Sequence, residues 1–322
     1  MNRASRFLLF VTIASCIPLS VYSQIDTTWT MVLGIADIEE ASSLTKTNDG
    51  NVVVAGQYVV SREPLNVDQF ISKHSVDGLN MWTSTFDIST FEIAKTIAET
   101  NDNRFLVGGQ ASVTNEEYGR DIYTGLIDSV GNQSWTHRFG MDGNSYDVVS
   151  DCIQTSTGKY LYVGNTRPGS TEHSAAWLQL VSQTGSVEWT KIYENPANWQ
   201  CKAVIETEDG GFLTVGSPLL MKFNSSGDSL WSRRSGIGDF DFGLGIRILT
   251  APDGNFLILS HKRDEVTDEH KGELILIDSS GDVIWSKLID DQDEDRYATY
   301  SDITESHNEG YLLLGSHDDQ PI

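Results

Sequence analysis

Short apolar runs recur along the chain, each closed by a turn rich in Gly, Asp and Asn. The clearest copy of this pattern contains four runs, at 93–100, 104–109, 121–127 and 133–138. Runs of this length that are bounded by turn residues predict β-strands rather than helices. Four such strands in succession, joined by tight turns, predict one antiparallel unit, whose strands are labelled a to d.

Tryptophan marks a regular period along the chain. It recurs at Trp29, Trp82, Trp135, Trp189, Trp231 and Trp285, in steps of 53, 53, 54, 42 and 54 residues. Most copies carry one phrase, as in Asp278-Ser-Ser-Gly281-Asp-Val-Ile-Trp285. A period of this length indicates one supersecondary unit copied in tandem. Each Trp falls in strand d, and we expect it to be a packing anchor wedged between neighbouring units.

Repeated four-stranded antiparallel units predict an all-β fold, a β-propeller of about six blades whose last blade is incomplete. The blades are expected at about 41–87, 92–139, 146–194, 200–236, 244–290 and 298–322. The last blade lacks a strand c. An N-terminal strand at 28–34, around Trp29, is expected to complete that blade and hide its edge. The alternative is a truncated seven-bladed propeller.

The short step of 42 residues between Trp189 and Trp231 predicts a lost loop rather than a lost strand. In that unit the second strand runs through Pro218 almost directly into the third. The other units are expected to have long b–c loops, as at 57–67 and 110–120. Long, variable loops carried by a regular scaffold are where binding residues concentrate.

The N-terminus predicts a secretory signal peptide at 1–23, followed by a single domain at 24–322. A basic start with Arg3 and Arg6 precedes an apolar stretch, and Val21-Tyr22-Ser23 provides small residues for cleavage before Gln24. The alternative is a lipoprotein anchored through Cys16, which ends a lipobox-like segment. No later segment approaches the ~18 apolar residues of a membrane-spanning helix. The chain is therefore expected outside the cell or in the periplasm.

The net charge of the chain limits the partners that it is expected to bind. The chain has 46 Asp and Glu against 22 Lys and Arg, a formal net charge of −24. Such a charge repels phosphate backbones, which excludes nucleic acid as an expected partner.

Cys152 and Cys201 lie in consecutive units at offsets that place their side chains on opposite strand faces. We therefore expect two buried thiols rather than a disulfide.

The phrase at 278–285, with Asp253-Gly-Asn-Phe-Leu-Ile-Leu259, resembles the secreted propeller repeats common in Bacteroidota. The resemblance covers residues 28–316 and implies a fold rather than an activity. The repeat of this chain is also distantly similar to quinoprotein-like and outer-membrane-assembly propeller repeats. The spacing from Asp128 to Gly131 is one residue shorter than in those repeats. The paired adjacent cysteines of the quinone enzymes are absent from the sequence.

Candidate site residues lie in the d–a and b–c loops, which share one face of a propeller. Aromatic residues there could stack on a sugar or a peptide: Trp199, Tyr118, Phe240 and Phe242. The d–a loops are also acidic and are expected to be solvated, among them Asp142, Asp147, Asp239 and Asp241. No cofactor is expected. Ca²⁺ is the alternative, since it prefers carboxylate ligands; its best candidate ligands are Asp291, Asp293 and Asp295.

The sequence is compatible with three functions. The first is a monomeric, non-enzymatic binding module for an extracellular glycan or protein, through the d–a and b–c loop face. The second is a carbohydrate-active hydrolase or lyase, with acidic residues or a Tyr/His pair at the mouth of the channel. The third is a fragment of a larger surface or adhesion protein. The sequence contains no catalytic motif, and fold alone does not choose between these functions.

Overall fold

A computed structural model of the chain describes residues 9–10, 39–63, 65–87, 89, 91–112, 119–140, 147–167, 173–194, 198–218, 220–233, 244–263, 270–289, 298–306 and 310–317. Every regular element in these ranges is a β-strand. This confirms the all-β prediction. Accordingly, no helix long and apolar enough to span a membrane occurs within the same ranges.

The described strands form five hydrogen-bonded sheets; the eight-stranded one has two four-stranded halves, which we number sheets 1 and 2, and the others are sheets 3 to 6. Sheet 1 contains β2 (Glu39–Lys46), β3 (Val52–Arg62), β4 (Leu65–His74) and β5 (Asn80–Phe86). Sheet 2 contains β6 (Phe91–Glu99), β7 (Phe105–Ser112), β8 (Asp121–Ile127) and β9 (Gln133–Phe139). Sheet 3 contains β10 (Val148–Gln154), β11 (Tyr160–Thr166), β12 (Ala175–Val181) and β13 (Val187–Tyr193).

The second half of the chain repeats this order. Sheet 4 contains β14 (Gln200–Glu206), β15 (Phe212–Ser217), β16 (Leu220–Phe223) and β17 (Ser229–Arg233). Sheet 5 contains β18 (Leu244–Thr250), β19 (Phe256–Arg263), β20 (His270–Ile277) and β21 (Val283–Leu288). Sheet 6 contains β22 (Ala298–Glu305), β23 (Tyr311–His317) and β1 (Leu9–Phe10).

Sheets 1 to 5 have their four strands in chain order. Neighbouring strands are antiparallel in sheets 1, 2, 3 and 5, and one parallel bridge, Val67 with Phe91, joins sheets 1 and 2. The chain forms two compact units: residues 1–26, 213–222 and 229–322, and residues 27–212 and 223–228. The first unit contains sheets 5 and 6, and the second contains sheets 1 to 3 and β14.

Two connections between second and third strands test the loop predictions. One prediction is confirmed and the other is wrong. In sheet 4, β15 ends at Ser217 and β16 begins at Leu220, so the short Trp step is indeed a lost loop. In sheet 1 the loop expected at 57–67 is wrong: β3 and β4 continue as a long hairpin, with Tyr58 opposite Asp68. Apolar residues such as Val59 and Val67 pair across it and favour strand over loop.

Sheet 6 has three described strands. Strand β1 pairs antiparallel with β23, with Leu9 opposite Leu314 and Phe10 opposite Leu313. Because β1 lies inside the predicted signal peptide, this pairing belongs to the chain before any cleavage at Gln24. The strand expected at 28–34, including Trp29, lies outside the described residues.

Four of the recurrent tryptophans pack against the next sheet in the chain. A Cβ placed on the turn glycine of that sheet would lie 2.6 to 2.9 Å from the indole. The pairs are Trp82 with Gly131, Trp135 with Gly185, Trp189 with Gly227 and Trp231 with Gly281. Three of the four also lie 6.0 to 6.4 Å from the aromatic residue that begins the second strand of that sheet. The predicted packing role is therefore confirmed for these four tryptophans, whereas Trp285 is 40% exposed.

Buried side chains fill the spaces between consecutive sheets. One cluster joins sheets 1 and 2 around Ile71, Phe105 and Tyr123. A second joins sheets 2 and 3 around Leu106, Tyr162 and Trp177. A third joins sheets 5 and 6 around Leu257, Leu274 and Leu313. Cys152 and Cys201 are both buried and are not disulfide-bonded, as expected.

The turn glycine Gly185 provides a direct test of this packing. Its φ is +90°, and a Cβ would lie 2.8 Å from Cγ of Trp135. We expect Gly185→Ala to lower the free energy of unfolding by about 3 kcal/mol, from left-handed backbone strain plus overpacking. Gly210 is the matched control, since its φ is +73° but nothing lies within 4 Å of a Cβ. Urea denaturation of both variants should show a loss of only about 1 kcal/mol for Gly210→Ala; equal losses would contradict the packing argument.

Candidate functional site

The two edges of the sheets differ in regularity. At one edge lie the tight turns between first and second strands and between third and fourth strands. These turns repeat one hydrogen-bond pattern, as in Gly158 N to Thr155 O at 2.8 Å and Gly185 N to Ser182 O at 3.0 Å. At the other edge lie the remaining connections, which differ in length from sheet to sheet. We call this second edge the variable edge.

The long hairpin of sheet 1 ends at the variable edge. The Tyr58 hydroxyl donates to the Asp68 carboxylate at 3.2 Å, and Gln57 Nε2 donates to Glu40 at 2.9 Å. Burial raises the pKa of Asp68, and the charge of Asp87 raises it further. Nearer the tip, Val60 is 49% exposed and Leu65 is 37% exposed. The hairpin therefore combines a polar, hydrogen-bonded base with apolar residues at its tip.

Asp147 braces the variable edge between sheets 2 and 3. Its carboxylate is fully buried and accepts from Thr166 Oγ1 at 2.6 Å and from Arg167 N at 3.0 Å. Its carbonyl accepts from Gln110 Nε2 at 2.7 Å, and its amide donates to Arg120 O at 3.2 Å. The expectation that Asp147 is solvated is therefore wrong, because these bonds draw the carboxylate into the junction.

Tyr123 and Glu92 are buried between sheets 1 and 2, close to the variable edge. Burial raises the pKa of the Tyr123 phenol well above its usual value, and the charge of Glu92 raises it further. Glu92 accepts a hydrogen bond from the backbone amide of Ser89. A phenol that stays protonated inside a closed interface serves packing, so Tyr123 is not a general base.

Ser72 and His74 have the spacing of a nucleophile and its base, with Ser72 Oγ 2.7 Å from His74 Nε2. The serine hydroxyl also lies 2.7 Å from Thr83 Oγ1 and accepts from Asn80 Nδ2 at 3.0 Å. Catalysis by such a pair requires that a substrate reach the hydroxyl. Both side chains are buried, with 0% and 1% exposure, so the pair is part of the packing of sheet 1.

The burial of His74 predicts a pH dependence of stability. Burial lowers the pKa of His74 below its ordinary value of 6.5. The unfolded chain therefore takes up a proton that the folded chain resists, and stability falls as the pH drops below 6.5. Thermal melts at about pH 7.5 and about pH 5 should show a larger loss for the wild type than for His74→Gln. The same loss in both proteins would contradict the prediction.

Trp199 is the one predicted ligand residue whose position the structure describes. It is half-buried and follows Asn198, whose φ is +56°. The Asn198 side chain accepts from Ser174 N at 2.9 Å, so Trp199 lies at the variable edge, where sheets 3 and 4 are connected. The indole Nε1 is buried and has no hydrogen-bond partner within the described part of the chain.

The other candidate ligand and metal residues lie outside the described part of the chain. They are Tyr118, Phe240, Phe242, Asp291, Asp293 and Asp295. Among the described ranges, no group of three or more His, Cys, Asp or Glu side chains has the geometry to hold a metal ion. Ca²⁺ binding by Asp291, Asp293 and Asp295 therefore stays a prediction.

Comparison with known proteins gives information about the fold of the chain. No protein-family model matches the sequence, and no curated protein matches it. The chain is similar to a protein of unknown function from Bacteroides caccae, with 13% identity, a TM-score of 0.51 and coverage of 81% of this chain and 84% of that chain. It is also similar to a protein of unknown function from Dyadobacter fermentans DSM 18053, with 12% identity, a TM-score of 0.50 and coverage of 87% and 94%. At such identities the likeness concerns the fold alone.

Proposed function

We propose that the chain is an exported β-propeller of about six blades, closed by the strand predicted at 28–34, and that it acts as a non-enzymatic binding module. Its ligand would be an extracellular glycan or protein that meets the variable edge. The contrast between the two edges carries this proposal. Uniform turns at one edge serve the scaffold, whereas diverse connections on a rigid scaffold are where binding residues concentrate.

Two further observations support the proposal. The repeated contact of four tryptophans with the next sheet is the packing that radially arranged blades require. At the variable edge, Asp147 and Asn198 fix neighbouring connections through hydrogen bonds of 2.6 to 3.0 Å. A preorganised edge loses less conformational entropy when a ligand binds.

A glycan array with the purified chain tests the proposal, and Trp199→Ala tests the site. We expect binding to weaken at least tenfold in this variant, because a half-buried indole at a binding edge is a typical hot spot. Trp285, which is 40% exposed in β21, provides the control. Trp285→Ala should bind as the wild type does. An array without signal, or equal loss in both variants, would contradict glycan binding at this edge.

A further inference from the structure

Two aspartate side chains of sheet 1 lie next to each other near the variable edge. Gln69 of β4 is paired with Phe86, the last residue of β5. The same register continued by one residue places Asp68 opposite Asp87. Side chains at opposite positions share one face of a sheet, with Cβ atoms about 5 Å apart. Burial raises the pKa of Asp68, and the charge of Asp87 raises it further, as expected of neighbouring carboxylates.

Two more polar side chains lie on the same face of sheet 1. Tyr58 of β3 is paired with Asp68, and its hydroxyl donates to Asp68 Oδ2 at 3.2 Å. Burial raises the pKa of the Tyr58 phenol, so it keeps the proton that it donates. Asn66 lies two residues before Asp68 in β4, and alternate residues of a strand share a face. We call this group the oxygen patch: Tyr58, Asn66, Asp68 and Asp87.

The oxygen patch contains buried acceptor atoms that lack a hydrogen bond. Asp68 is 6% exposed, and its Oδ1 atom accepts no hydrogen bond within the described part of the chain. The same is true of Asn66 Oδ1, which is also buried. Among the described residues, neither Asp68 nor Asp87 forms an ion pair. Buried polar atoms in native proteins are nearly always satisfied, by protein groups, by water or by an ion.

The chemistry of the oxygen patch favours a cation. A hydroxyl group or a water molecule could satisfy one oxygen atom, but it would not offset the like charges of Asp68 and Asp87 across the strands. A cation offsets both this repulsion and the cost of burying the Asp68 charge. Asp87 is exposed, whereas Tyr58 and Asn66 are half-buried, so an ion can reach the patch from solvent.

The atom types favour calcium among the common cations. The oxygen patch offers carboxylate and amide oxygens, which are the ligands that Ca²⁺ prefers. Ca²⁺ also tolerates irregular geometry, whereas Mg²⁺ requires a nearly octahedral site. The patch has two carboxylates, so it is not one of the groups of three acidic, His or Cys side chains considered above. Its third protein ligand is an amide oxygen, and water can complete the coordination.

We propose that the oxygen patch binds Ca²⁺, with Asp68 Oδ1, Asp87 and Asn66 Oδ1 as the protein ligands. Tyr58 holds Asp68 Oδ2 by its hydrogen bond, which leaves Oδ1 for the ion. We expect a Kd of about 10⁻⁴ to 10⁻³ M, the range of extracellular calcium modules. The inference goes beyond the proposed function and does not depend on it, because an ion can bind here whether or not the variable edge binds a glycan.

Calorimetric titration of the purified chain with CaCl₂ tests the proposal. We expect Asp68→Asn and Asp87→Asn each to weaken binding by about tenfold or more, since each removes one of the two ligand charges. Asp77 is the matched control, because it is exposed and lies in the turn after β4 of the same sheet. Asp77→Asn should bind as the wild type does. Absence of binding, unchanged binding in the Asp68 and Asp87 variants, or loss only in Asp291→Asn would overturn the inference.

Thermal melting distinguishes a bound ion from screening of the net charge. CaCl₂ should raise the melting temperature of the wild type more than NaCl or MgCl₂ at the same ionic strength, because screening depends on ionic strength alone. Without calcium, Asp68→Asn should melt no lower than the wild type, since its amide oxygen can accept from Tyr58 and the repulsion with Asp87 is gone. An equal response of both proteins to CaCl₂, or an equal effect of the three salts, would overturn the inference.

Hydrogen exchange followed by mass spectrometry needs no variant. Ca²⁺ should slow the exchange of amides in β3 and β4 at 57–68, but not of those in β11 at 160–166, because only the first pair of strands holds the oxygen patch. Exchange at 57–68 that is the same with and without Ca²⁺ would contradict the proposal. A glycan array without signal would remove the proposed glycan ligand and leave the calcium result unchanged, so the two proposals fail separately.

Discussion

Trp135→Ala should lower the free energy of unfolding by about 3 kcal/mol, the lower end of the range for large aromatic residues because the indole is half-buried. Its ring lies 6.1 Å from that of Tyr160 and 5.2 Å from that of His137, and it lies against the turn at Gly185. Truncation would leave a cavity between sheets 2 and 3 that the rigid turn cannot fill. Urea denaturation followed by tryptophan fluorescence and circular dichroism provides the measurement.

Trp285 is the matched control, since it occupies the same position of the repeat in β21 but is 40% exposed. We expect Trp285→Ala to cost no more than about 1 kcal/mol, because little apolar area leaves contact with the protein. The comparison separates the loss of a buried contact from the loss of a tryptophan in strand d as such. Equal costs for the two variants would show that the contact with the turn glycine contributes little.

Asp147→Ala should lower the free energy of unfolding by a similar amount, about 3 kcal/mol. The Thr166 hydroxyl and the Arg167 amide would lose the carboxylate that accepts from them, and each such loss in a buried place costs about 1–3 kcal/mol. Asp147→Asn keeps an acceptor oxygen and should recover part of this loss. Thermal and urea denaturation should rank the three proteins, from most to least stable, as wild type, Asp147→Asn and Asp147→Ala.

Asp121 provides a control in the same region of the fold. It forms an ion pair with Arg138 at 2.6 Å, but both side chains are about a third exposed to solvent. Such a pair contributes little, so Asp121→Ala should cost no more than about 1 kcal/mol. A cost as large as that of Asp147→Ala would mean that burial does not distinguish the two carboxylates, and the bracing role of Asp147 would be wrong.

Regular features of the repeat could be predicted because they depend on local chemistry. Turn residues such as Gly185 and Gly210 fix the ends of the strands, and the short Trp step correctly predicted the close approach of β15 and β16. The hairpin of sheet 1 was missed because its polar residues resemble a loop. Only the pairing of Tyr58 with Asp68 across the two strands shows that they continue.

The candidate site was predictable only in part. Trp199 was selected as a candidate because it departs from the period of the repeat, and its role in binding stays a prediction. Asp147 was assigned to solvent, since a sequence does not reveal which acidic residue will meet Thr166 and Arg167 across a junction.

The sequence by itself determined the repeating unit, its β-strands and turns, and the tryptophan that anchors each copy, because these depend on residue type and spacing along one stretch of chain. The tertiary structure alone decided which groups meet across neighbouring sheets. It placed four tryptophans on the following turn glycines and buried Asp147. The tryptophan contacts join residues 38 to 50 positions apart along the chain, and only the packing of one copy on the next brings them together.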